Sequence, residues 1–252
     1  FAREVLRPKT LASAILPGSR SVQVGNVATV FATLINATEN EATLCGIEPL
    51  TPVDAVFSYQ PTDAANAPVG EPNLPVSIPA EAAQNFILSF EAEEEFDPTE
   101  VFLEFRCAEG AAANNVQGVN TVLLAADDAA IADVIGLTTV VDLVTPVGST
   151  GLFAVGSANV GAQAEIRVSV DDGGSGLPGQ FLICETDSAT GVCNADPVSS
   201  VVVDYLAAST RSFAVFATPS NEIDEDPATN RLFVRFSDSE NVIRGVTSSA
   251  IR

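Results

Sequence analysis

The chain contains no histidine, no methionine and no tryptophan, only two tyrosines, and a single lysine, Lys9, among 252 residues. Each absence removes a class of chemistry. Without histidine, Ser–His and Cys–His nucleophiles have no base to activate them. With its one lysine near the N terminus, the chain is not expected to assemble a buried Ser–Lys dyad. No aspartic-protease DTG or DSG triplet occurs, and no phosphate-cradling GxxxxGK[ST] loop. A pair of carboxylates suited to glycoside hydrolysis is not excluded by spacing, but sugar clefts usually stack rings on the aromatics that are scarce here. The expectation is a protein that is not an enzyme and carries no cofactor.

Basic residues are also few, 11 against 33 acidic ones, for a net charge of −22. Such a surface repels phosphates, which excludes nucleic acid as a partner. No apolar run is long enough to cross a bilayer. The four cysteines, Cys45, Cys107, Cys184 and Cys193, form no CxxC pair, so zinc is not expected. An even count of scattered cysteines reads as disulfides, which persist in oxidising compartments. The start at Phe1 and the lack of any methionine suit a secreted product that has lost a signal peptide.

What is present is period-2 alternation. Ala164, Ile166, Val168 and Val170 alternate with Glu165, Arg167 and Ser169; Val101, Leu103 and Phe105 alternate likewise, as do Leu232, Val234 and Phe236. Clusters rich in Pro, Gly, Asn and Asp at 60–73 and 171–179 separate such runs, which predicts β-sandwiches rather than a parallel α/β fold. Only AADDAAIADVI (125–135) admits a short helical turn. The chain also repeats itself. AAQNFILSF (82–90) and DPTEVFLEFRC (97–107) match ASTRSFAVF (208–216) and DPATNRLFVRFSD (226–238) in order, after FATLINAT (31–38) and FAVGSANVG (153–161). The expected division is an N-terminal arm at 1–18, one immunoglobulin-like sandwich at 19–130 and a second at 131–252. Cysteines paired within each sandwich give Cys45–Cys107 and Cys184–Cys193; bridges between sandwiches or between chains are the alternative.

Candidate sites are sparse. Calcium is the metal best suited to so acidic a chain, and Asp224 and Asp226 are its candidate ligands, although no EF-hand or related loop is present. The run EAEEEFDPTE (91–100) reads as a solvated face. Asn36-Ala37-Thr38 is the single glycosylation sequon. The arm stands out by charge: Arg3, Arg7, Lys9 and Arg20 oppose only Glu4 among the first 20 residues of a strongly acidic chain.

The segments ILPGSRSVQVGNVATVFATLINAT, CGIEP, DPTEVFLEFRC, NTVLLAA, LICETDSATGVC, DPATNRLFVRFSD and VIRGVTSSAIR resemble a group of secreted bacterial proteins. Its members carry two tandem immunoglobulin-like β-sandwiches behind a signal peptide and resemble subunits of donor-strand-linked extracellular fibres. The resemblance implies an extracellular or cell-surface protein and transfers no catalytic site. The arm then reads as a donor strand. Sixteen extended residues reach roughly 50 Å, and Phe1, Val5, Leu6, Leu11, Ile15 and Leu16, with the charges of Arg3, Arg7 and Lys9, form the candidate subunit interface. Pro8 interrupts its alternation. The expected function is a structural subunit of a fibre or pilus-like appendage, polymerising head to tail with itself. The alternative is a monomeric adhesin or carbohydrate-binding module, with glycans as partners.

Overall fold

The computed structural model describes residues 10–108 and 112–252. The described residues are all-β: they form eighteen strands in four sheets and no helix. The first half contributes β1 (Leu11–Leu16), β2 (Ser19–Gln23), β3 (Val27–Asn36), β4 (Ala42–Pro49), β5 (Ala55–Thr62), β6 (Val76–Ile78), β7 (Ala82–Ala92), β8 (Phe96–Arg106) and β9 (Thr121–Asp127). Alternation decides what each strand buries. On β3, Ala28, Val30, Ala32 and Leu34 are buried, whereas Val27, Phe31 and Ile35 point outward. A four-stranded sheet in the order β1-β3-β7-β5 faces a five-stranded sheet in the order β2-β9-β8-β4-β6. Between them lies one core, in which Val30, Leu34, Phe86, Leu88 and Phe90 of the first sheet meet Ile47, Val101, Leu103 and Phe105 of the second. All pairings are antiparallel except β2 with β9.

The second half repeats this plan strand for strand. It comprises β10 (Val134–Thr138), β11 (Asp142–Leu143), β12 (Gly151–Asn159), β13 (Ala164–Asp171), β14 (Gly179–Thr186), β15 (Ser200–Tyr205), β16 (Thr210–Pro219), β17 (Arg231–Ser237) and β18 (Ile243–Ile251). The sheet orders are β10-β12-β16-β14 and β11-β18-β17-β13-β15, and again one pairing, β11 with β18, is parallel. A separate core gathers Phe153, Val155, Ile166, Val168, Phe213, Val215, Val234 and Phe236.

Three sequence expectations need correction. Of the expected arm at 1–18, Leu11–Leu16 is instead β1, which pairs with β3 of the same chain from Leu11↔Asn36 to Leu16↔Phe31. Leu11 and Ile15 are consequently core residues rather than free contacts for a neighbour, while Leu16 stays exposed. No helical turn forms at 125–135; β9 ends at Asp127 and the chain runs as coil to β10. The repeat is also offset by one residue where Phe31 and Phe153 appear to match. Asn36 and Asn159 are the true equivalents, so Phe31 lies outward while Phe153 is buried. A one-residue slip changes the face of every side chain.

The halves are joined by a buried junction. The Arg20 Nε donates to Asp133 Oδ2 at 2.8 Å, and the Ser21 backbone N–H donates to the other carboxylate oxygen at 3.0 Å. The Val246 N–H donates to Ser19 Oγ at 2.8 Å, and Ser248 Oγ donates to the Gly118 carbonyl at 3.0 Å. Leu123 of β9 packs with Phe233 and Val246 in a small apolar cluster across the same seam. Gly118 has φ +74°, and a Cβ there would lie 2.5 Å from Ser248 Oγ and 2.9 Å from the Phe233 ring. Only glycine fits.

Candidate functional site

The two halves differ most at one sheet edge. In the second, β15 pairs with β13 along Ala164–Ser169, covering that edge. In the first, β6 meets β4 only at Ala42↔Ile78 and Cys45↔Val76. Register fixes the equivalence, since Ile47 opposes Phe105 as Val168 opposes Phe236. The counterpart of a covered stretch, Gly46–Glu48, is therefore left beyond the end of β6, and Pro49 follows it on the same strand. The cause is local. Asn73 adopts φ +60°, a conformation asparagine tolerates, and Pro75 has no N–H to give a ladder. The segment turns away to β5, where the Asn73 N–H donates to the Tyr59 carbonyl at 2.8 Å and the Tyr59 N–H donates to Asn73 Oδ1 at 2.9 Å.

A groove of about 440 Å³ results, lined by Leu44, Gly46, Ile47, Glu48, Pro49, Phe57, Tyr59, Asn73, Pro75, Glu104 and Arg106. Its floor is anchored in the core, with Phe57 tilted against Phe90 and Tyr59 edge-on to Phe86. The absence of a side chain at Gly46 admits the Tyr59 hydroxyl, which would lie 3.0 Å from a Cβ there. Burial, and then the charge of Glu48, push the Tyr59 hydroxyl above its ordinary pKa, so it stays a neutral donor. Glu48 and Glu104 make the rim acidic, and Arg106 approaches Glu104 at 3.5 Å. This arrangement offers an apolar trough, a strand edge and carboxylates: the features that receive an extended, basic segment.

A second surface is defined by what it omits. On the outer face of β1-β3-β7-β5 the outward residues are Ala12, Ala14 and Leu16; Val27, Thr29, Phe31, Thr33 and Ile35; Ala83, Asn85, Ile87, Ser89 and Glu91; and Val56, Ser58 and Gln60. Glu91 alone is charged. Hydroxyls and amides pair across it, Ser58 with Ser89 at 2.7 Å and Thr33 with Asn85 at 2.8 Å. The matching face of the second half shows Leu137, Leu152, Ala154, Gly156, Ser212, Phe216, Gln180 and Leu182, with no charge, while Ala214, Cys184 and Thr186 on the same face are buried where Cys184 bonds Cys193.

The structure places the sequence-selected residues as follows. Cys45 bonds Cys107 inside the first core, and Cys184 bonds Cys193 across a loop at the edge of the second half. Asn36 is fully buried, and its Nδ2 donates to the carbonyls of Asn40, Ile78 and Pro79 at 2.8, 3.0 and 3.1 Å. Both of its amide hydrogens are engaged in the fold, so a glycan on Asn36 would displace these bonds. Asp226 accepts the backbone N–H of Ala228 and Thr229, and among the described residues no three acidic side chains converge as a metal site near it or Asp224. Phe1, Arg3, Val5, Leu6, Arg7 and Lys9 lie outside the described residues. Leu11 and Ile15 are in the core, away from the groove. Reasoning from sequence missed the groove, the uncharged faces and Asp133; Asn73-Leu74-Pro75 carried the one local signal for the groove.

No family model matches this chain, and no curated protein does. Similar solved structures, three of which follow, share little with this chain. A secreted serine protease, VesC, from Vibrio cholerae is 10% identical with a TM-score of 0.29; the alignment covers 97% of this chain, which spans about half (52%) of the protease chain. A chaperone–tip adhesin complex of CFA/I fimbriae biogenesis is 10% identical with a TM-score of 0.26, over 93% of this chain and 98% of that one. A β-glucosidase from Listeria innocua is 12% identical with a TM-score of 0.23, over 48% of this chain and 16% of the other. Likeness at this level identifies neither an activity nor a partner. The two disulfides are compatible with a secreted protein, and no helix among the described residues is long and apolar enough to cross a membrane.

Proposed function

We propose that the chain is a non-catalytic structural subunit of an extracellular fibre or pilus-like appendage, in which a neighbouring copy adds a strand along Gly46–Pro49. The observation that carries this reading is the shortened β6, which leaves in the first half an edge that β15 covers in the second. The donor is the segment 1–9, FAREVLRPK, which precedes β1 and reaches about 30 Å when extended. Phe1 and Val5, on one face of an extended strand, suit the aromatic floor, and Leu6 falls on the other face. Arg3, Arg7 and Lys9 suit a rim that carries Glu48 and Glu104. Main-chain hydrogen bonds and side-chain burial supply the affinity, and charge sets approach and register. Because donor and acceptor differ, the contact is head to tail and propagates as an open filament.

The test is covalent trapping. Val5→Cys and Pro49→Cys, introduced together into the full chain, are expected to give a ladder of disulfide-linked oligomers under mild oxidation. Mixtures of the two single variants should give dimers only, and deletion of residues 1–9 should remove filaments seen by negative-stain microscopy. Filaments that persist after the deletion, or crosslinks confined within one chain, would refute strand addition at this edge. A monomer that binds arrayed neutral or acidic glycans through the same groove would favour an adhesin instead.

A further inference from the structure

Copies of a chain with net charge −22 repel wherever their carboxylates meet. The outer faces of the two four-stranded sheets are where carboxylates are scarcest and contact between copies is least opposed. On the first, the single charge, Glu91, sits at one end, between Val27 and Val56. The second has none. A sheet face left to water usually alternates buried apolar residues with polar and charged outward ones; here the outward positions are apolar or neutral. Leu16 and Phe31 are register partners, 58% and 40% exposed, and Ile87 lies beside Phe31 on the next strand. The halves differ at individual positions, Ala154 standing where the first half has Phe31, yet both keep this side neutral.

We infer that these faces are the surfaces on which a second copy of this chain packs, sheet on sheet. The partner must be broad, flat and neutral, and another copy supplies such a surface by construction. A basic partner gains nothing here and is drawn to the acidic loops; an acidic one is repelled before it arrives. Size supports the assignment. Four strands about 4.8 Å apart and some 25–30 Å long give a footprint on the order of 500 Å² per face. A specific interface buries at least about 1,000 Å² in total, about 500 Å² from each partner, so one face meeting its copy reaches the lower bound. A face meeting itself closes a two-fold pair, with sheets stacked about 10 Å apart as in a sandwich. This side-by-side contact uses sheet faces, not strand edges, and stands apart from strand addition at the groove.

Sedimentation equilibrium of the full chain across salt concentrations tests the inference. Reversible association is expected, and it should strengthen as salt screens the net charge. Phe31→Glu sets carboxylates against each other in the contact and should weaken association about tenfold or more. Phe31→Gln should weaken it less, and both variants should melt close to the wild type because the side chain is outside the core. Deleting residues 1–9 should leave the pairing intact. The inference is overturned by a wild type that remains monomeric at millimolar concentration in high salt. It is equally overturned by association that Phe31→Glu leaves unchanged, or that disappears on deleting residues 1–9. Protection of the Phe31 face only on adding a neutral polysaccharide would assign it to a different occupant.

Discussion

Asn36 and Asn159 occupy the same corner of the two halves and do the same work there. Each accepts the backbone N–H two residues on, from Thr38 at 3.1 Å and from Gly161 at 3.0 Å. Each donates through Nδ2 to the turn that follows, at Asn40 and Ala162, and across to the end of a neighbouring strand, at Pro79 and Leu206. Both are fully buried. An asparagine amide presents two N–H donors and a separate carbonyl acceptor on a short side chain, and the corner needs both kinds of group. Asn36→Ala leaves buried carbonyls and an N–H unmatched, and a loss of about 2–3 kcal/mol is expected from groups orphaned in this way. Asn36→Asp should be worse at neutral pH, because a carboxylate would then face carbonyl oxygens. Urea unfolding reads both, as a lower midpoint at unchanged slope. The same geometry predicts that Asn36 emerges unmodified from a glycosylating host, with an intact mass equal to that of the bare chain.

Among the elements, β4 and β8 are held twice, by their ladder and by Cys45–Cys107, whose partners are 62 residues apart. Cys184–Cys193 spans only 9. In the chain-entropy model the long loop contributes about 4 kcal/mol and the short one about 3 kcal/mol. Replacing Cys45 and Cys107 together with alanine should therefore lower stability more than replacing the other pair, the more so because both sulfurs lie in the core. Thermal melts of the two double variants compare them directly. These strands were legible in the sequence because burial writes a period of two, as Val101, Leu103, Phe105 and Cys107 show. The open edge was not. Whether β4 has a partner at Ile47 depends on where a distant segment leaves the ladder, and Asn73-Leu74-Pro75 announces a turn without saying which strand it abandons. The neutral faces were half visible: Thr29, Phe31, Thr33 and Ile35 are uncharged in a chain with 17% charged residues. Only pairing shows that their neighbours on β1, β7 and β5 match them. β1 was misread because Pro8 and the basic residues before it suggested an arm, while the alternation of Leu11 and Ile15 is too short to reveal which sheet it joins.

At the scale of the molecule, the question is whether two similar halves act as one body. Interfaces between domains of one chain usually permit relative motion unless they are large and apolar. This junction adds a buried ion pair, with the Arg20 and Asp133 side chains 15% and 4% exposed. Burial raises the Asp133 carboxyl pKa, and Arg20 and the Ser21 N–H pull it back in part. Removing one partner of such a pair strands the other charge, at a cost of about 3–5 kcal/mol. Asp133→Ala thus removes the hydrogen bond to Ser21 as well and leaves the Arg20 guanidinium without its carboxylate, while the two cores, formed by different residues, stay complete. The wild type is expected to unfold in a single calorimetric transition, with the junction coupling the halves. In Asp133→Ala the first transition should fall and separate from the second. Asp133→Asn keeps an acceptor for the Ser21 N–H and should sit between them. Gly118→Val attacks the seam from its other side, driving a methyl into Ser248 and Phe233, and should produce the same separation with the ion pair intact. Small-angle scattering then distinguishes a loosened joint from a damaged half: a loosened joint broadens the distribution of end-to-end distances while each half keeps its own melting point. If Asp133→Ala instead melts as one transition at an unchanged temperature, the ion pair does not couple the halves, and their rigidity must rest on the apolar seam of Leu123, Phe233 and Val246 with the hydrogen bonds of Ser19 and Ser248 beside it.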